Sequence, residues 1–346
     1  MSEMHCIVKT AAGPGNIALQ KRPIPRPGPR DVLVRIQASA VCGTDVHIEE
    51  WNDWAMKRVP PGIIIGHEFA GDVVEVGSDV KTIKVGDIVS AETHIVCNAC
   101  DLCHNGYEHV CYNTTTIGVH RDGSFAEYIA FPAENAFVCN PKYPVEVLSM
   151  MEPFGVAVHG ATEFPVAGKA VAVVGCGPIG VMAVAVAKKL GARKVIAVEP
   201  NAMRGEMAVR MGADAVVDPL ARDPIEAVRG LTGGRGADVV LEFSGNIPGV
   251  RAALGYCKPE AKIAAAGLPS RPLEFDLSEF AYRGLTLKGI AGRLMYKTWE
   301  DLAGLLDAGV DISPVITHVL PMSEYEEGLR LMRNGECGKV ILKPEW

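Results

Sequence analysis

Residues 170–199 constrain the fold more than any other stretch of the chain. Ala170-Val171-Ala172-Val173-Val174 is a continuous apolar run, the pattern of a strand buried on both faces of a parallel sheet. It leads straight into Gly175-Cys176-Gly177-Pro178-Ile179-Gly180, which matches G-x-G-x-x-G. A helix is predicted from Pro178 to Leu190: proline suits a first helical turn, where its missing N–H costs nothing, and Gly191 suits the end. A second strand, Val195-Ile196-Ala197-Val198, closes on Glu199, 19 residues past Gly180. Strand, glycine turn, helix, strand and acid at this spacing predict a dinucleotide site, with the pyrophosphate on the helix N-terminus and the acid on a ribose hydroxyl. Glu199 would repel a 2′-phosphate, so NAD is expected rather than NADP.

The rhythm continues. Val239–Phe243 reads as a strand, Ile247–Cys257 as a helix, and Ile263–Ala266 and Leu285–Ile290 as strands. Strands alternating with helices make a doubly wound α/β sheet of the Rossmann type. From Thr298 the tail shows two helical patterns and then Lys339-Val340-Ile341-Leu342, a strand with no place in that alternation. It is expected to return to the N-terminal part of the chain, which makes that part discontinuous.

The N-terminal part has a different texture. Short β-rich runs, Ile7–Lys9, Val32–Ile36, Asp72–Gly77 and Asp87–Val89, are separated by glycine turns and by the proline cluster Pro23–Pro29. This punctuation suits a β-rich, partly barrel-like domain. Residues 120–155 read as a continuation of it, and Glu152, standing before Pro153, is expected in an extended or turn conformation. Such a carboxylate either points into a cleft or sits solvated in a turn.

Ten cysteines are present, four of them in the spacing C-x2-C-x2-C-x7-C at Cys97, Cys100, Cys103 and Cys111. Four thiolates this close can wrap one tetrahedral Zn²⁺ in a closed, structural shell. The bacterial iron–sulfur run has three residues before its last cysteine and a proline after it; here there are seven, and Tyr112 follows. Without a secretory signal, disulfides are disfavoured, and the remaining scattered cysteines read as buried thiols.

A second donor set lies between Val41 and Gly71. Cys42 offers a thiolate, His67 an imidazole and Glu68 a carboxylate, a mixture that suits Zn²⁺ and leaves a fourth position open. Taken alone, the same residues also fit a buried thiol and an unrelated His-Glu pair. Thr44 and His47 are close enough in sequence to Cys42 to share its pocket, and each can pass a proton.

The chain has 346 residues, 48% of them hydrophobic and 22% charged, and a formal net charge of −7. Length suggests two domains, and the composition supports a packed core. With no long basic run, nucleic acid is not the expected partner. No signal peptide or membrane-spanning run is read, so a cytoplasmic protein without membrane contact is expected.

These motifs together resemble the zinc-containing medium-chain alcohol dehydrogenases over essentially the whole chain. The resemblance is carried by Gly66-His67-Glu68 with Gly71 and Gly77, the four-cysteine lobe and the Gly175–Gly180 turn. It implies a GroES-like catalytic domain at residues 1–154 and 296–346, a zinc lobe at about residues 94–113, and a Rossmann NAD-binding domain at residues 155–295. It implies a catalytic zinc on Cys42, His67 and Glu68 with Glu152 nearby, and a proton relay through Thr44 and His47. His94 would help hold the substrate. NAD contacts would include Ile179, Glu199, Arg204, the turn Ala266-Gly267-Leu268 and Ile290-Ala291. Residues 42–48, 51–54, 92–97, 292–299 and 313–318 resemble the members that oxidise an amino-acid alcohol, the 3-hydroxyl of L-threonine. A polyol or 2,3-diol is the alternative substrate, and the expected assembly is a homotetramer. Glu49, Glu50, Val156 and Gly160 depart from the residues usual in that family.

Overall fold

The computed structural model describes residues 2–269 and 271–346. Contacts divide the chain into two compact units, Met1–Glu152 with Ile316–Trp346, and Pro153–Val315. The second run of the first unit therefore begins at Ile316, and residues 296–315 belong with the second unit.

The second unit is built on a six-stranded parallel sheet. In spatial order its strands are Ala215–Val217, Lys194–Val198, Ala170–Val174, Ala237–Glu242, Cys257–Ala265 and Thr286–Gly289. Numbered along the chain this is 3-2-1-4-5-6, the doubly wound order that reverses direction beside the first strand. All five residues of Ala170–Val174 are buried, which is why that strand reads as unbroken apolar sequence. The helix Pro178–Lys189 follows at once, with Gly177 as its N-cap, Pro178 in its first turn and Lys188 and Lys189 in its last. The lysines complement the negative end of the helix dipole. Four further helices start on a side-chain cap: Asn201 accepts from Arg204 N, Asp223 from Ile225 N, Asn246 from Gly249 N, and Asp276 from Ser278 N and Glu279 N. Each cap satisfies at least one of the backbone donors that a helix start leaves unpaired.

The first unit carries a seven-stranded sheet. Its path runs Ile316–Pro321, Lys339–Lys343, Asp31–Ala40, Glu68–Val76, Ile88–Ala91 and Ala136–Val138, with Tyr128–Pro132 also paired to Asp31–Ala40. The C-terminal strand Lys339–Lys343 joins Asp31–Ala40 antiparallel, Ile341 opposite Ala40. The helix Tyr325–Asn334 buries Tyr325, Leu329 and Leu331 in one core with Ile7, Val41, Ile48, Val340 and Leu342. The tail is thus held by apolar burial as well as by strand pairing.

One expectation fails. Residues 145–162 are helical, as Val145–Leu148 and Met151–Thr162, and do not continue the β pattern. Glu152 therefore sits in a first helical turn and not in an extended or turn conformation. Pro144 and Pro153 look like breakers, but Pro144 is an N-cap and Pro153 lies in the opening turn. There the backbone N–H has no helical partner to lose.

Candidate active site

The first donor set is assembled where a strand meets a helix. Asp31–Ala40 ends just before Cys42, and Cys42 is the N-cap of Gly43–Glu50. Asp45 is fully buried, and its Oδ2 accepts the Cys42 N–H at 2.9 Å, which fixes the turn that presents the thiol. His67 and Glu68 come from the start of Glu68–Val76, preceded by Gly66 at φ +87°. Only glycine fits at position 66: an added methyl would lie 2.2 Å from the Phe125 ring. The ligand atoms of Cys42, His67 and Glu68 all lie within 4.8 Å of one another, close enough to share one ion.

The surroundings of this set fit a cation. His67 Nδ1 is buried with no hydrogen-bond partner among the described residues and lies 3.8 Å from Asp45 Oδ1. Burial raises the Asp45 and Glu68 carboxyls above their ordinary range. Glu68 also feels the negative charges of Cys42 and Glu152. Burial disfavours a lone charge on these carboxyls, and a divalent ion on the thiol, imidazole and carboxylate donors would relieve that cost.

Sequence reading missed the partner of Glu68. Lys339 Nζ donates to both carboxylate oxygens, at 2.6 Å from Oε1, and to Val41 O at 3.0 Å. Burial opposes the Lys339 charge, but Glu68, Cys42 and Glu152 together outweigh it and the ammonium is held above its ordinary range. The one hint in the sequence was a lysine set directly before the apolar run Val340-Ile341-Leu342.

The other polar candidates take defined places. Thr44 Oγ1 is 3.7 Å from Cys42 Sγ. His47 is exposed one turn along the same helix, its ring 6.5 Å from that of Trp54. Glu152 is buried, with Thr93 Oγ1 at 3.4 Å from its Oε1. The imidazole of His94 is set by Glu92, whose Oε1 lies 3.3 Å from Nδ1 and also accepts the His94 N–H at 3.0 Å.

The four-cysteine lobe forms a separate cluster. Sγ–Sγ distances are 3.5 Å for Cys100–Cys103, 3.9 Å for Cys100–Cys111 and 3.5 Å for Cys97–Cys111. They bracket the edge of about 3.8 Å expected of a tetrahedron with zinc–sulfur bonds of about 2.3 Å. They are far from a disulfide bond length of about 2.05 Å. The N–H groups of Cys97 and Asn113 point at Cys111 Sγ, at 3.4 and 3.3 Å. Surrounding donors, the Ala99 N–H foremost, bring the Cys97 thiol down to about 6, whereas burial pushes Cys103 up to about 12. A cation is what lets all four be thiolates together. The other five, Cys6, Cys139, Cys176, Cys257 and Cys337, are buried.

In the second unit the glycine turn is shaped as a cradle. Gly175 has φ +79°, and a methyl on Gly180 would lie 2.0 Å from Gly175 O. A methyl on Gly177 would meet nothing within 4 Å, so the chain leaves open the face where a pyrophosphate would approach. Glu199 is buried, its Oε2 accepting Cys176 N at 2.6 Å and its Oε1 accepting Asn201 N at 2.9 Å. Arg204 Nε is buried with no partner among the described residues. Ala266, Gly267 and Leu268 follow the strand Cys257–Ala265, and Leu268 is 86% exposed. Ile290 N donates to Ala265 O at 2.8 Å, bringing Ile290-Ala291 beside that turn. Gly160, a departure from the family's usual residue, is required by Phe243, whose ring would be 2.8 Å from an added methyl. Glu49, another departure, is ion-paired with Arg333.

Two family models match the chain, the alcohol dehydrogenase GroES-like domain at residues 28–141 and the zinc-binding dehydrogenase domain at residues 178–308. The chain belongs to the zinc-binding alcohol dehydrogenase family, and it is an oxidoreductase. Among curated relatives it is similar to L-threonine 3-dehydrogenase of Symbiobacterium thermophilum, 47% identical over 345 residues that cover 99% of this chain and 98% of that protein. Among solved structures it resembles a zinc-binding dehydrogenase from Sinorhizobium meliloti bound to NADP, with a TM-score of 0.92 and 31% identity over 99% and 100% of the two chains. It also resembles 2R,3R-butanediol dehydrogenase of Bacillus subtilis, with a TM-score of 0.89 and 25% identity over 99% and 100%. Among the described residues no helix is long and apolar enough to cross a membrane.

Proposed function

We propose that this chain oxidises the 3-hydroxyl of L-threonine with NAD, giving 2-amino-3-oxobutanoate and NADH, in threonine catabolism. The observation that carries the reaction type is the convergence of Cys42, His67 and Glu68 ligand atoms within 4.8 Å in a buried, anionic site. The substrate rests on similarity: 47% identity to a threonine dehydrogenase against 25% to a butanediol dehydrogenase.

In this reading the unit Met1–Glu152 with Ile316–Trp346 is the catalytic domain and Pro153–Val315 holds the nucleotide. Cys42, His67 and Glu68 hold the catalytic zinc, and Cys97, Cys100, Cys103 and Cys111 the structural one. When bound, zinc would supply Lewis acidity toward the substrate hydroxyl and NAD a hydride acceptor. Thr44 Oγ1, beside Cys42 Sγ, takes up the hydroxyl proton, and exposed His47 delivers it to solvent. Glu152, buried and contacted by Thr93, offers a second carboxylate at the site. His94, oriented by Glu92, holds the polar end of the amino acid. Gly175, Gly177, Pro178, Ile179 and Gly180 bind the pyrophosphate, Glu199 and Arg204 the adenosine ribose, and the turns at Ala266–Leu268 and Ile290–Ala291 the rest of the dinucleotide. The protein works as a cytoplasmic homotetramer; the edge strand Thr286–Gly289, with Leu287 exposed, supports self-association.

The test is a substrate panel with NAD on purified protein: L-threonine, sorbitol and 2,3-butanediol, with zinc counted by atomic emission. Threonine turnover with two zinc ions per chain is expected. Rapid diol turnover beside negligible threonine turnover would overturn the substrate. Activity that survives Cys42→Ser would overturn the metal site.

A further inference from the structure

Glu242 ends the central strand Ala237–Glu242 and is 1% exposed. Its Oε1 accepts Ser244 N at 2.8 Å, Gly245 N at 3.1 Å and the Ser244 hydroxyl. Its main-chain oxygen accepts Ala266 N at 2.8 Å and Gly267 N at 3.0 Å. One residue thus ties the loop after its own strand to the loop after the neighbouring strand.

Around that tie the backbone is packed without room for a methyl group. A methyl on Gly175 would lie 2.6 Å from Ser244 Cβ. One on Gly245 would lie 2.7 Å from Leu268 O, and one on Gly267 would lie 2.2 Å from Gly245 N and 2.5 Å from Glu242 Oε2. The glycine cradle, the Ser244–Asn246 loop and the Ala266–Leu268 turn therefore stand in direct contact, with the Glu242 carboxylate among them. The Ser244 hydroxyl passes the restraint on, accepting Asn246 N at 3.0 Å, and Asn246 caps the helix Ile247–Tyr256. On the adjacent side of the sheet Glu199 makes the same kind of brace for Cys176 and Asn201.

We infer that Glu242 is a positioning residue for the dinucleotide: its carboxylate sets the Ser244–Asn246 loop against the Gly175 turn and against the Ala266–Leu268 turn that its main-chain oxygen holds, so that the cofactor meets a preformed surface. The inference rests on the nucleotide reading above. A bound molecule gains most from groups already held in place, because their ordering costs nothing on binding. Glu242 touches no substrate in this account, and its effect is confined to cofactor affinity.

The experiment uses the zinc-loaded full chain. NADH dissociation constants come from fluorescence titration, and KM for NAD, KM for L-threonine and kcat from steady-state kinetics. Glu242→Ala should raise the NADH dissociation constant and the KM for NAD at least tenfold. KM for threonine and kcat at saturating NAD should stay within about twofold. Glu242→Gln keeps an oxygen for the same three donors and should stay within about threefold of wild type. If Glu242→Ala does not fold, Glu242→Asp, whose acceptor is withdrawn by one methylene, carries the same expected split. A Glu242→Ala protein, or Glu242→Asp in its place, that binds NADH as tightly as wild type would overturn the inference and leave the nucleotide reading standing. So would a loss spread equally over both KM values and kcat. Wild-type protein that binds no NADH would remove both.

Discussion

Lys339 Nζ lies against both carboxylate oxygens of Glu68, 2.6 Å from Oε1, across 271 residues of sequence and with both side chains out of water. Removing one partner of such a pair strands the other as an uncompensated buried charge, at a cost of about 3–5 kcal/mol. Lys339→Met should therefore lose about that much stability in urea unfolding, and adding Glu68→Gln should recover more than half of it. A loss of less than about 0.5 kcal/mol for Lys339→Met would mean that the pair adds nothing to the fold.

Gly177 and Gly180 should respond differently to the same substitution. A methyl at 177 meets no atom of the chain, while one at 180 meets Gly175 O at 2.0 Å. Gly177→Ala should unfold within about 0.5 kcal/mol of wild type and yet raise KM for NAD at least tenfold. Gly180→Ala should weaken both, with about 1–3 kcal/mol of overpacking. Unchanged NADH binding by Gly177→Ala would show that no phosphate comes close there.

Glu199→Ala should lower the preference for NAD over NADP at least tenfold, measured as the ratio of kcat/KM values. In the proposed reading the carboxylate repels a 2′-phosphate, and it also braces the Cys176 N–H. An unaltered ratio would confine Glu199 to bracing.

Cys103→Ser should reduce bound zinc from two ions per chain to one. It should lower the unfolding temperature by roughly 5–10 °C, what a loss of a few kcal/mol produces in domains of this size. Full thermal stability with impaired turnover of folded enzyme would assign the lobe to chemistry and not to structure.

His159 makes stability depend on pH. Burial lowers its pKa, against Gly292 O and Glu163, while Lys288 and Arg293 lower it further. Nδ1 is 2.9 Å from Gly292 O, and the neutral ring is the folded form. Because the unfolded chain binds a proton more readily, stability falls as pH drops below about 6.5, by at most about 1.4 kcal/mol per pH unit from this one group. Melting curves from pH 7.5 to 5 should slope more steeply for wild type than for His159→Gln. Parallel curves would refute this assignment.

Where local rules decide structure, the chain could be read directly. The strand Ala170–Val174, the cradle glycines with Pro178, the stop at Gly191 and the four-cysteine cluster each depend on residues within a few positions of one another. The β pattern expected over residues 120–155 gives way to helix from Val145 because proline has opposite meanings in the first turn and in the interior, and only the backbone around it shows which applies.

The amino-acid order alone settled the alternation of strands and helices after residue 170 and which donor atoms the chain owns. Tertiary structure decided their partners: Lys339 for Glu68, Glu92 for His94, Phe243 against Gly160, and Glu242 holding the loops beyond its strand. Backbone propensity acts over a turn or two. An ion pair or a packed ring is selected by whichever surfaces the sheet order brings face to face, and one-dimensional order does not carry that information.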